Sequence, residues 1–171
     1  MDDQDIQNLA DQLKQFEPGF LPYPIFEQVA RIVALPIVEF VPLRRQGDSI
    51  QVLLIRRPAN DPIFPGMEHT PGTVIRATDA SDGQQDSWAA FDRILKDELQ
   101  GTSTGDPHYV GSMFHHSKRG AEQAQIYWVE VSGESAVGTF YDIEQLPTEL
   151  MESQRKFIAL AAQDFAKRRS D

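Results

Sequence analysis

Two runs rich in Val, Ile and Leu, "LPIVEFVPLRR" and "SIQVLLIRR", are separated only by "QGD". Branched apolar side chains fit a pleated, buried surface, and a Gly-Asp link between two such runs is a hairpin signature. This pair constrains the fold most, because the rest of the chain must then supply whatever packs on the sheet. "TVIRA", "HYVGSMFHH", "AQIYWVEV" and "GTFYDIEQLP" read as further strands, the second and third joined by the turn "SKRG". Helical spacing appears in four places. Ile6, Leu9, Ala10, Leu13 and Phe16 precede Pro18-Gly19, and "PIFEQVARIV" follows as a short helix. Trp88, Phe91, Leu95 and Leu99 form a stripe that stops at Gly101, and Phe157, Ile158, Leu160, Ala161 and Phe165 mark the last helix. The order predicts an α+β fold: an α/β/α sandwich with a central mixed sheet, the two later helices on opposite faces. Residues 1–31 read as an N-terminal helical extension and 32–171 as one domain.

A chain of 171 residues can bury a core without staples, and with no cysteine it has neither disulfides nor thiolate metal sites. Sixteen basic against 26 acidic residues leave a net charge of −10, which repels phosphate backbones and speaks against a nucleic-acid partner. A small phosphorylated ligand remains open to such a chain when divalent cations stand between carboxylate and phosphate. The acidic start "MDDQDIQNLADQ" is not a signal peptide, and no apolar run approaches the roughly 18 residues of a membrane span, so a cytoplasmic protein without a membrane partner is expected.

"RILKDELQG" carries the chemistry of interest. Each helical residue advances about 100°, so with Leu95 directed inward Asp97 lies about 200° away and Glu98 about 60° to one side. The two acids then occupy neighbouring edges where their oxygens can meet a hard cation, with Arg93 on the outward face beside Asp97. The same residues also read as an ordinary solvated face. The Arg93–Asp97 order is the weaker one for an i,i+4 pair, and acids near a helix C-terminus oppose its dipole.

"PGT" at 71–73, this helix, and the ending "TFYDIEQLPTELMESQRKFIALAAQDF" together resemble the Nudix hydrolase superfamily over roughly Ile32 to Ala166. Its signature is Gly-x5-Glu-x7-Arg-Glu-U-x-Glu-Glu-x-Gly-U, where U is aliphatic. Gly72 matches the first Gly, Arg93 the Arg, Leu95 the aliphatic position, and Asp97 and Glu98 the Glu pair. The box is degenerate. Arg93 follows Gly72 by 21 positions (93 − 72) rather than fourteen, Thr78 with Asp79 beside it stands near the early Glu, Ile94 replaces the Glu after Arg, and Gln100 takes the late Gly position. Asp79, Asp82 and Asp86 of the longer loop are possible substitutes for a lost acid, or simply loop polarity.

The resemblance implies a Mg²⁺- or Mn²⁺-dependent hydrolase of a nucleoside diphosphate derivative. Asp97 and Glu98 would hold the metal, and Arg93, Glu98 and Glu122 would be catalytic. Arg57, Glu68, Arg76 and Arg119 would contact the ligand, Arg119 through its planar fork. The alternative is a Nudix-like fold without chemistry, a nucleotide-binding sensor or scaffold. Restoring the signature by Ile94→Glu is expected to raise metal affinity in the first case. Many proteins of that superfamily are dimers, which makes residues 1–17 a candidate homodimer interface. Elsewhere, His115 and His116 cannot share one face of a strand, and Trp128 reads as core with Tyr127 opposite.

Overall fold

The hairpin forms as its sequence dictates. β1 (Leu35–Gln46) and β2 (Ser49–Arg56) pair antiparallel from Leu43↔Val52 to Gln46↔Ser49, and Gly47 turns the corner at φ +63°. The structure is a computed structural model that describes residues 1–80, 88–102 and 104–168. The expectations for Asp82, Asp86 and the Trp88 side chain fall outside that description.

The elements run α1 (Asp3–Leu13), α2 (Tyr23–Ile32), β1, β2, β3 (Glu68–His69), β4 (Gly72–Val74), α3 (Trp88–Arg93), β5 (His108–Ser117), β6 (Gly120–Glu130), β7 (Thr139–Asp142) and α4 (Glu152–Lys167). Seven strands make one sheet in the order β3-β2-β1-β6-β5, with β4 also on β1 and β7 also on β2. The β1–β6 pairing is parallel and the rest are antiparallel, so the sheet is mixed as expected.

Strand alternation assigns each face. Ile37, Val41 and Leu43 join Val52, Leu54, Ala124, Ile126 and Trp128 beneath Phe157, Ile158, Ala161 and Phe165 of α4. Val38, Phe40, Leu53 and Val129 point the other way, onto Ala90, Phe91, Ile94 and Leu99. Trp128 lies in the α4 face and donates its ring N–H to Asp164 at 2.8 Å, while Tyr127 packs edge-on against Phe91 on the opposite face. The sandwich is therefore the anticipated one. Leu160 departs from it: the buried stripe of α4 runs through 157, 158, 161, 162 and 165, and Leu160 falls outside it, exposed.

β1 changes partners in its middle. Its last pair with β4 is Glu39↔Gly72, and its first with β2 is Leu43↔Val52. Pro42 sits in that gap, where the absence of an N–H leaves no ladder donor unsatisfied. The sheet forks here, and the fork holds the site.

The helix carrying "RILKDELQG" is not regular. After Arg93 it widens into a π-turn, Ile94–Glu98, closed by Leu99 N–H donating to the Ile94 carbonyl at 3.0 Å. The wider turn puts Ile94 and Leu99 fully inside and leaves Leu95 half-buried, so the inward residue is Ile94 and not Leu95. Gln100 then takes φ +44°, the left-handed conformation that the signature's Gly would adopt without a Cβ.

Of the N-terminal segment, α2 contributes Ala30 to the core, whereas α1 buries no residue. Among the described residues no helix is long and apolar enough to cross a membrane.

These assignments make a contrast that urea unfolding can read. Phe157→Ala should lose about 3–5 kcal/mol, whereas Leu160→Ala should stay within about 0.5 kcal/mol of wild type. Similar losses at both positions would contradict the orientation of α4.

Candidate functional site

At the fork, two carboxyl groups meet at one glycine. Glu39 lies opposite Gly72 in the β1–β4 ladder, and a Cβ on residue 72 would stand 2.6 Å from the Glu39 carboxyl carbon. Only glycine leaves that room. From the other side, the Gly72 N–H donates to Glu98 Oε2 at 3.0 Å. Glu98 is placed there by the π-turn, while Asp97, one residue earlier, stays exposed on the rim.

Glu39 is buried at the start of a polar network. Its Oε2 lies 3.0 Å from Thr70 Oγ1 and 3.3 Å from Gln154 Nε2, and Thr70 N–H donates to Gln154 Oε1 at 2.7 Å. The Thr70 hydroxyl also bonds Gln154 Oε1. One hydroxyl proton cannot serve both Gln154 and Glu39, so the network closes when Glu39 carries a proton and donates it to Thr70. Burial agrees with this. It pushes the Glu39 carboxyl up to about 8, helped by the Glu98 charge and opposed by Thr70, Arg119 and Gln154. Burial likewise raises Glu98 to about 7, with the Asp97 charge adding and the Gly72 N–H, Arg57 and Arg119 opposing.

Two arginines overlook this pair. Arg57 bonds Asp61 at 2.8 Å, and Asp61 is itself held by the N–H groups of Ile63 and Phe64 at 2.9 and 2.8 Å. Burial raises the Asp61 carboxyl, but these bonds and the Arg57 charge outweigh it and leave it below its ordinary range. Arg119 donates to Glu122 Oε1 at 2.6 Å, joined there by Ser117 Oγ at 2.9 Å, with His115 Nε2 at 3.1 Å from the other oxygen. His69, between these arginines and the fork, is lowered to about 3 by burial and the Arg57 charge and is neutral. Its Nδ1 donates to the Thr70 carbonyl at 2.7 Å, which leaves Nε2 with its lone pair.

Not all the residues expected from sequence converge here. Glu98, Asp97, Arg57 and Arg119 gather around Gly72. Glu122 is fully buried and engaged by three partners, so it fixes Arg119 and the β5–β6 turn. His115 turns inward to it and His116 is exposed. Glu68 is buried and its carboxylate is taken by Arg56, at 2.9 Å from Nε and 2.8 Å from Nη2. Arg93 does not face Asp97. At the end of α3 it instead bonds the buried Asp79 with both Nη atoms and the Val74 carbonyl at 3.1 Å. Arg76 stands at this latch rather than at Gly72, and its backbone N–H donates to Asp79 Oδ2 at 2.7 Å. Burial raises Asp79, but Arg93 and Arg76 more than offset it and hold the carboxyl below its ordinary range.

Glu39, Thr70 and Gln154 escaped the sequence reading. Glu39 is a lone charge in the apolar run "PIVEFVPL", and Gln154 lies on the apolar stripe of α4. A polar group in such a place is destabilising unless it is bonded, which was the available signal.

Each of the other buried acids among the described residues has an arginine of its own: Glu68 has Arg56, Asp79 has Arg93 and Glu122 has Arg119. Among the described residues Glu39 and Glu98 have none. Their charge is left to a proton or to a cation.

No protein-family model and no curated protein matches this sequence. Its structure does find matches. The Nudix domain of Shewanella oneidensis NrtR, solved with ADP ribose, aligns over 91% of this chain and 97% of its own at TM-score 0.61 and 18% identity. A mutT/nudix family protein from Listeria innocua aligns over 81% and 98% at 0.60 and 15%. The Ap4A hydrolase of C. elegans aligns over 78% and 99% at 0.54 and 12%. The chain has the Nudix fold. At such identities the likeness is one of architecture, and the chemistry rests on the residues around Gly72.

Nudix proteins are associated with divalent metals, and the donor set fits one of a particular kind. Among the described residues no three His, Asp or Glu side chains form a cage. Mg²⁺ is commonly held by one or two carboxylates together with waters and substrate phosphates. Glu98, with Asp97 at the rim and Glu39 behind Gly72, suits an ion that arrives with a phosphorylated ligand.

Both acids bind a proton more tightly in the folded chain than in the unfolded one, whose ordinary value is 4.5. The stabilisation is complete below about pH 4.5 and is lost as pH rises towards about 7 for Glu98 and about 8 for Glu39. Metal-free unfolding free energy should therefore fall across this window, at up to about 1.4 kcal/mol per pH unit for each group. Glu39→Gln, which mimics the protonated carboxyl, should flatten the upper part of that fall. An unchanged slope in the variant would show that Glu39 does not titrate there.

Proposed function

We propose that this protein is a divalent-cation-dependent hydrolase of the pyrophosphate bond in a nucleoside diphosphate derivative. The observation that carries the reading is the Glu39–Glu98 pair about Gly72, two inward acids that, among the described residues, have no arginine of their own as Glu68, Asp79 and Glu122 do. Perturbed carboxyls of this kind gather where proton transfer or cation binding is required. Arg57 and Arg119 supply positive charge for the phosphates at the same fork, and each is held in place by its own acid, Asp61 and Glu122.

The duties divide among these residues. Glu98, near neutrality, can hold a proton or release it at working pH, which suits a general base for the attacking water. Gly72 N–H fixes the orientation of its carboxylate. Glu39 lies behind, and Thr70 and Gln154 hold it ready to keep or yield a proton as the charge in front changes. Asp97 offers oxygens at the rim. Arg93 acts at a distance as a positioning residue: its bonds to Asp79 and Val74 tie the box helix to β4 and so keep Glu98 over Gly72. Glu68 and Arg76 are assigned structural roles beside Arg56 and Asp79. Bound Mg²⁺ or Mn²⁺ would polarise the phosphoryl oxygen and lower the pKa of its water.

A second reading, a ligand sensor without turnover, has its own support. Ile94 is fully buried among Val38, Phe40 and Phe91, so the helix presents no acid from that position, and the NrtR Nudix domain was solved with ADP ribose bound.

A panel of nucleoside diphosphate derivatives that includes ADP-ribose and Ap4A, assayed with millimolar Mg²⁺ or Mn²⁺, separates the two. The hydrolase reading expects monophosphate release, lost by about 100-fold or more in Glu98→Gln, together with a cation-dependent rise in melting temperature that the same variant abolishes. Binding by calorimetry with no product would establish the sensor instead. Neither binding nor product across the panel would sink both. Ile94→Glu should not restore activity, because it places a carboxylate in the apolar core at a loss on the order of 3 kcal/mol or more.

A further inference from the structure

All three internal methionines of the chain, Met67, Met113 and Met151, line one groove. It runs between the edge strand β5, the loop before β3 and the start of α4, and its volume of about 710 Å³ is that of a small-molecule site. Phe64 and Phe114 extend the apolar lining, and Phe114 is 70% exposed. Met151 is buried there, whereas Met67 and Met113 are half-buried. Of the polar groups along the groove, His115 Nε2 and the Ser117 hydroxyl are already bound to Glu122. Glu152, Ser153 and Lys156 belong to its α4 side. Thioethers and aromatic rings drawn from loop, strand and helix make a surface that adapts to apolar groups of variable shape.

This groove is continuous with the surroundings of the two arginines. The Arg57 N–H donates to the Met67 carbonyl at 3.0 Å, and the Arg57 guanidinium lies 5.6 Å from the centre of the Phe64 ring. Lys118, the residue before Arg119, lines the groove as well, with its ammonium 5.8 Å from the same ring. Phe64 therefore joins the Arg57 side of the site to the turn that carries Arg119. A ligand whose phosphates meet these arginines has the groove within reach of whatever it carries beyond them.

We propose that the groove is a subsite for a flexible apolar chain, so that the ligand is a nucleoside diphosphate ester of a long-chain alcohol. The inference rests on the reading that a diphosphate is bound at Arg57 and Arg119, and it names what that diphosphate carries. An alkyl chain laid along Met67, Met113 and Phe114 removes from water an apolar surface that the free protein exposes. Methionine side chains can follow such a chain through its many conformers. Lys118, shared by the groove and the arginine turn, places a positive charge where the chain joins its phosphate. A sugar in the same place would set its hydroxyls against thioethers and rings that cannot satisfy them, which is unfavourable.

Calorimetry and AMP release with the ADP esters of methanol, hexanol and dodecanol, on the full chain with millimolar Mg²⁺, test it. A buried methylene favours binding by about fourfold at most, so the dissociation constant should fall at least tenfold from the methyl to the dodecyl ester. Phe114→Ser and Met113→Asp should each remove most of that gain. Phe114 is exposed, so an unchanged melting temperature of Phe114→Ser would exclude unfolding as the cause. Equal affinities for the three esters overturn the proposal, and so does a gain that either substitution leaves intact. AMP release at one kcat/KM from all three esters overturns the groove and keeps the hydrolase reading. Chain-length-dependent binding that both variants lose, with no AMP released, keeps the groove and overturns hydrolysis. No binding of any ester overturns both.

Discussion

A carboxyl group inside the sheet is the constraint from which most of this arrangement follows. Glu39 lies on β1 between Ile37 and Val41, both in the α4 core, and a buried carboxylate there would be strongly destabilising. The chain accommodates it in three ways at once. Residue 72 has no side chain, so the carboxyl can fold across β4. α4 begins with Gln154 on its apolar stripe, which fixes how its first turn meets β1. Thr70 links the two, and its backbone N–H and hydroxyl both reach Gln154. Removing any one member leaves a buried polar atom unbonded, so strand, loop and helix are held in one geometry.

The sheet was legible because the signals that set it are local. The turn after Gln46, the branched apolar runs on either side of it, and "SKRG" at the second hairpin each act within a few residues. The site was legible only where it follows the box. Gly72 and Glu98 were found by pattern, yet the reason they matter is Glu39, which no pattern of the helix contains. The Arg93–Asp79 pair was hidden for the same reason, since its members are joined by folding across a loop and not by helical spacing. Leu95 and Leu160 were misplaced by assuming one regular stripe. In α4 the buried residues follow a slightly different line, and in the box helix the π-turn shifts the register by one residue. A hydrophobic period of 3.6 cannot report a wider turn.

Charge is distributed with the same economy. Glu68, Asp79 and Glu122 are interior acids, and each is fixed by one arginine at the sheet edge or helix end. A buried pair of that kind loses in desolvation much of what it gains in attraction, so its value lies in geometry more than in stability. Here the geometry holds Arg119 and the box helix close to Gly72, with Arg57 held similarly by Asp61. The arginines nearest Glu39 and Glu98 are thus already engaged, and they moderate the two acids without neutralising them. That leaves two acids at the fork with positive charge just beside them, the arrangement on which the proposed function rests.

The π-turn sets how Ile94 and Glu98 are placed. In a regular helix, residue 94 would stand beside the carboxylates of 97 and 98. Widening by one residue swings Ile94 inward to fill the space between Val38, Phe40 and Phe91, and carries Glu98 over Gly72. The substitution and the widening support each other. A Glu at 94 would not tolerate the apolar core. π-turns appear mostly as single bulges inside α-helices and are frequent at functional sites. In this chain the holding group is the Arg93–Asp79 latch one residue before, together with the Gly72 N–H at the far end. Ile94 is thus part of the device that aims the one box carboxylate which faces Glu39.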